Sequence, residues 1–106
     1  MPTNVVIVLT TVPNAEAGAA IATALVEERL AACVNLLPPM TSTYRWQGAV
    51  TRDVEQQVVI KTTTDRLSAL RERLLALHPY DLPECLVVAV SDGSPAYLDW
   101  VRQETA

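Results

Sequence analysis

The segment His78-Pro79-Tyr80-Asp81-Leu82-Pro83-Glu84 sets the only histidine of the chain beside a tyrosine and carboxylates, punctuated by two prolines. Imidazole can ligate a metal or move a proton, while phenol and carboxylate bind cations or one another. Each pyrrolidine ring fixes its own φ and biases the preceding residue away from helix. The connector is therefore stiff, and a stiff loop can hold polar groups ready for a ligand or a neighbouring subunit. The plainer structural reading is that Pro79 stops a helix and His78 caps its last carbonyls.

Cys33 and Cys85 are far apart and belong to no CxxC pair. Read as reduced, buried thiols they behave as small apolar residues, and a structural zinc site would need four clustered Cys or His ligands. Eight basic residues against twelve acidic ones give a formal charge of −4 and a pI near 4.8. No basic run exists, so nucleic acid is not an expected partner. The apolar stretch Val5 to Leu9 is too short for a secretory core or a membrane span, so a cytoplasmic location without membrane attachment is expected. With three glycines in all, no phosphate-cradling loop and no nucleophile beside an activating partner, catalysis is the less favoured expectation and no organic cofactor is predicted.

The elements that must position the loop follow from pattern. Half of the 106 residues are apolar, enough for one domain with its own core. Asn4 to Val12 reads as an inner strand, and Asn14 caps a helix running to about Ala31 with Ile21 and Leu25 buried. Cys33 to Leu37 is a strand interrupted by Pro38-Pro39 and resumed from Thr41 to Trp46. Gln47-Gly48 turns, and Val50 to Thr62 returns antiparallel, making a hairpin longer than a small domain needs. Its tip carries Tyr44 and Trp46 on one face and Arg45 on the other. Thr64-Asp65 caps a second helix with Leu67, Leu70, Leu74 and Leu77 inward and Arg66, Arg71, Glu72 and Arg73 on a solvated face. Cys85 to Val90 reads as a central or well-covered strand. Ser94-Pro95 opens a terminal helix whose Tyr97, Trp100 and Val101 face core or interface. Strand, helix, strand, strand, helix, strand is the α+β order of a ferredoxin-like split βαβ sandwich. The implied sheet order is fourth, first, third, second, which puts the two cysteines on opposite edges and out of disulfide reach.

Five strings in order, Leu30-Ala31-Ala32-Cys33-Val34-Asn35, Thr43-Tyr44-Arg45-Trp46-Gln47-Gly48, Ile60-Lys61-Thr62-Thr63, the His78 to Glu84 segment and Tyr97-Leu98-Asp99-Trp100, resemble the CutA divalent-cation-tolerance family over nearly the whole chain. The resemblance implies a homotrimer with sheets packed round a threefold axis, hairpins reaching neighbours, and copper or another divalent metal as a ligand. Bacterial relatives with proposed copper ligands carry a first-strand cysteine and paired histidines, where this chain has Thr10 and Leu77, so His78 alone remains as the metal candidate. Asp81 and Glu84 are possible helpers, with Cys33 or the Met1 terminus as alternatives. The resemblance also implies an inter-subunit cleft lined by Arg29, Tyr44, Trp46, Glu55, Lys61, His78, Tyr80 and Glu84, which would take a metal or small molecule. Lys61, the only lysine, follows an apolar run and is expected to meet a carboxylate of another subunit or a ligand anion. Glu55 lies six residues away on its strand, roughly 20 Å off. Tyr44 and Trp46 would stack a planar ligand or serve as packing anchors.

Overall fold

Strand β1 (Val5–Val12) is hydrogen-bonded on both sides, antiparallel to β3 (Ala49–Thr63) and to β4 (Leu86–Ala89). Strand β2 (Cys33–Trp46) completes the sheet in the order β2-β3-β1-β4. These features come from a computed structural model that describes residues 3–106. Helices α1 (Ala15–Glu27), α2 (Leu67–Leu77) and α3 (Pro95–Glu104) complete the α+β fold. The expected split βαβ order and sheet order are both present, and Cys33 and Cys85 are free thiols at opposite sides of the sheet.

Period-two patterning in β1 and β3 sends Val8, Val12, Val58 and Ile60 to one face, where Ile21 and Leu25 of α1 and Leu70 and Leu74 of α2 cover them. Each such side chain contributes about 1.5–3 kcal/mol by leaving water. Helix α1 lies unusually close to the sheet at Gly18, where a Cβ would stand 2.7 Å from Leu36 Cδ1. On the opposite face α3 covers only a corner, packing Leu98 and Val101 on Val5 and Ala32. Beyond that corner, Leu86 and Val88 of β4 stay exposed in the single chain.

Several boundaries differ from expectation for local reasons. Helix α1 stops at Glu27 rather than near Ala31, because Arg29 turns left-handed at φ 59°. The Leu30 amide then donates to Leu25 O at 2.9 Å and the Arg29 amide to Val26 O at 3.1 Å. Those two bonds form a Schellman motif with Arg29 where glycine is usual, and they carry Leu30 back into the core. The proline pair bends β2 without breaking it. Pairing shifts register between Leu36 and Pro39 and then continues to the Gln47-Gly48 turn, where both φ angles are positive, as a tight two-residue hairpin requires.

A 3-10 turn at Thr64–Arg66 precedes α2, with no side-chain capping bond. Asn14 does cap α1, accepting from the Ala17 amide at 2.8 Å. β4 is shorter than expected and is an edge strand, exposed at all four positions, so its apolar run is uncovered within one chain. Tyr97 and Trp100 are also exposed, while Leu98 and Val101 are the buried residues of α3. Cys33 and Cys85 are half-buried rather than interior. Arg66 is not simply solvated, since its Nε donates to Thr105 O at 2.6 Å, and Arg73 pairs with Glu28 at 2.9 Å.

Candidate functional site: an acidic and aromatic cleft

The register shift in β2 decides which residues the long hairpin presents. Before it, Cys33 and Asn35 stand opposite Lys61 and Val59; after it, Met40, Ser42 and Tyr44 stand opposite Glu55, Asp53 and Thr51. Paired residues share a sheet face, so the extra residue switches β2 from odd to even positions on one continuous face. Tyr44 and Trp46 are thereby brought to the side of Asp53, Glu55 and Gln57. Only Gln56 to Thr63 of β3 pair with β1, so the outer part of the hairpin stands clear of the sheet as a two-stranded arm.

Between the face of that arm and the loop from Tyr80 to Leu86 lies a cleft of about 780 Å3. Of the four carboxylates that line it, Asp53, Glu55, Asp81 and Glu84, all but Asp81 are each held by one neutral donor. Tyr44 donates its hydroxyl to Asp53 Oδ2. Tyr80 donates to Glu55 Oε2 at 2.9 Å. Gln57 donates from Nε2 to Glu84 Oε2 at 2.9 Å and to Thr10 O at 2.7 Å, which anchors Glu84 to β1. Among the described residues none of the three carboxylates is in an ion pair. The bond to Asp53, then loss of hydration, raises the Tyr44 pKa. Burial first, and the bond to Glu55 second, pushes that of Tyr80 well above the usual phenol value. Both phenols are thus fixed as donors, because the neutral form suits burial and a neighbouring anion.

His78 sits beside this cleft with its ring turned inward, 8% exposed. Its Nε2 faces the Thr11 carbonyl at 2.8 Å, and the Tyr80 amide donates to Nδ1 at 3.1 Å. A carbonyl only accepts and an amide only donates, so the ring is the neutral tautomer with its proton on Nε2. The ring packs tilted against Tyr80, 4.9 Å between centres, and ties the proline loop to β1, while the His78 backbone amide caps α2 as expected by donating to Leu74 O at 2.9 Å. A metal would have to displace one of these backbone partners. Among the described residues no three His, Cys, Asp or Glu side chains converge to hold an ion, so one chain alone does not fit a copper site. Thr10, in place of the relatives' cysteine, points into the helix-covered core with its hydroxyl unpaired. Met1 lies outside the described residues.

Of the expected cleft residues, Tyr44, Trp46, Glu55, Tyr80 and Glu84 converge. Two do not. Arg29 reaches α3, donating to Gln103 O at 2.7 Å and to Ala106 O at 3.3 Å, because its left-handed backbone aims it across the helix end. Lys61 lies farther along the sheet, with Nζ 3.3 Å from the Tyr97 hydroxyl and 5.6 Å from its ring centre. No carboxylate pairs with it among the described residues, in keeping with its distance from Glu55. Sequence reasoning overlooked Asp53 and Gln57, although both stand two residues from Glu55 and so share its strand face.

A model of the family described as CutA1 divalent ion tolerance protein matches residues 6–104. The chain belongs to that family. It is 52% identical over 99 residues to the divalent-cation tolerance protein CutA of Thermus thermophilus, covering 93% of this chain and 96% of that one. It is 43% identical to the chloroplastic CutA protein of Arabidopsis thaliana over 94% of this chain, and spans 55% of that longer relative. The crystal structure of CutA from Xylella fastidiosa superposes with a TM-score of 0.94 at 46% identity, covering 97% of this chain and 99% of that one. Among solved CutA structures the four-stranded sheet and three helices are therefore a shared architecture.

Proposed function

We propose that this CutA-family chain is a non-catalytic binding module of divalent-cation tolerance that works in the cytoplasm as a homotrimer. Its cleft holds a small ligand, and copper or another divalent metal binds weakly, with His78 as the one imidazole ligand. The observation that carries this reading is the cleft itself, with Asp53, Glu55 and Glu84 each positioned by a neutral donor and in no ion pair among the described residues. Weak metal affinity follows from an imidazole already bonded at both nitrogens and from the absence of a three-ligand cluster among the described residues. Trimer formation is supported by the arm that stands clear of the sheet and by exposed Leu37, Val50, Val54, Leu86 and Val88, since an isolated two-stranded ribbon is marginal in water. No described helix is long and apolar enough to cross a membrane.

The test is a melting curve of the purified protein with excess Cu2+ or Zn2+, repeated with H78A and E55Q. A ligand that binds only the folded state raises the melting temperature. A small rise with Cu2+, reduced in H78A, is the expected result. No rise with either ion, and none lost in the variants, would remove metal binding from the function.

A further inference from the structure

We propose that the cleft between the hairpin arm and the proline loop is a site for a small organic cation, an alkylammonium or guanidinium carried on a short aliphatic chain. The proposal rests on the reading of this cleft as the ligand site and names the chemical class that fits it. Two independent features point to that class.

The first is shape and lining. An open groove of about 780 Å3, lined by Tyr44, Trp46 and Tyr80 with Met40 and Leu82, has the size and the aromatic lining of a site for a small organic molecule. A bare hydrated ion gains nothing from such walls, whereas an ammonium or guanidinium is attracted to the faces of Trp and Tyr.

The second is charge and hydrogen bonding. Asp53, Glu55 and Glu84 border the same space, and each spends one oxygen on a neutral donor fixed by the fold. A carboxylate accepts about four hydrogen bonds, so accepting capacity is left on every one of them. Arg45 also lines the cleft but forms no ion pair with any of the three. The raised phenol pKa of Tyr80 keeps this donor neutral, so it adds no charge of its own. The cleft therefore offers aromatic walls, negative charge and acceptors, and Arg45, its one lining cation among the described residues, pairs with none of the three carboxylates. Convergence of three carboxylates on one ion does not occur among the described residues, whereas a ligand with several N–H donors spread over a few ångströms can reach more than one of them.

Isothermal titration of the intact protein with 1,4-diaminobutane and with agmatine, alongside butyrate as an anion of similar length and 1-butanol as a neutral one, tests the assignment. The expected result is saturable binding of both cations at one equivalent per chain, weakened by salt, with neither control bound. In E55Q, checked for fold by circular dichroism, affinity should fall about tenfold, the scale of one lost charged hydrogen bond. Equal binding of butanol, or unchanged affinity in both E55Q and D53N, overturns the proposal. Should the wild type bind neither cation while K61Q binds them, a second copy's lysine already fills the cleft and the free-ligand assignment fails. If Cu2+ raises the melting temperature through cleft residues while the cations do not bind, this inference falls and the metal-binding reading stands. If neither metal nor cation binds, both fall.

Discussion

Tyr80 joins the proline loop to the arm through one hydrogen bond, and its neutral phenol is what makes that bond. Its folded-state pKa is raised above the ordinary 10.0. A group whose folded pKa is raised contributes stability that is complete below the unfolded value and is lost as pH climbs through the folded one. The contribution of Tyr80 is therefore full at neutral pH and declines only in strong alkali. Ultraviolet titration of the folded protein should show a phenol ionising later than free tyrosine, and Y80F should remove that late step. Y80F should also cost about 1 kcal/mol in urea unfolding at neutral pH, the usual net worth of such a bond.

Arg29 illustrates how a residue chosen for one duty accepts strain for it. Its φ of 59° suits glycine, and the left-handed conformation costs an ordinary L-residue roughly 1 kcal/mol, yet its guanidinium satisfies two backbone oxygens, Gln103 O in α3 and Ala106 O beyond it. R29A loses the bonds and keeps the strain, whereas R29G loses the bonds and relieves it. R29G is thus expected to be the more stable of the two by about 1 kcal/mol in denaturant unfolding. The resemblance places Arg29 in the cleft, and its actual partner is invisible in the sequence, because a helix end and a terminal helix 74 residues away in sequence meet only in the fold.

Among the elements, β2 carries the most consequential irregularity. The proline pair was legible as an interruption, since proline cannot donate to a ladder. What it does instead is insert one residue and exchange the faces of everything beyond it. Deleting Pro38 should restore the simple alternation and turn Tyr44 and Trp46 away from Glu55. The expected readout is loss of cleft binding and a shift in tryptophan fluorescence, with the far-ultraviolet signal of the sheet retained. Helix α1 makes the complementary point about packing. A side chain at Gly18 would meet Leu36 at 2.7 Å and Val12 at 3.2 Å, so G18V should destabilise the protein by about 1–3 kcal/mol through overpacking, measured by chemical denaturation.

For the molecule as a whole, the Cα extents of 44 × 26 × 24 Å record an arm that one chain leaves largely unsupported. Val50 and Val54 on the outer arm are 59% and 66% exposed, an expensive arrangement unless another copy covers them. Light scattering should report a trimer at micromolar concentration. V54D, which places a charge on that surface, should shift the population toward smaller species; an unchanged trimer would show that the arm's apolar face is not part of the contact.

The sequence alone determined the order of elements and the inward faces of α1 and α2, because hydrophobic period and prolines act locally and survive without a partner, and five strings carried the resemblance to the family. It also pointed to Tyr44, Trp46, Glu55, Tyr80 and Glu84. The tertiary structure decided that these five meet while Arg29 and Lys61 stand elsewhere, and that His78 is spent on two backbone partners. Those outcomes depend on a one-residue register shift and on contacts between residues dozens of positions apart, and neither leaves a periodic trace along the chain.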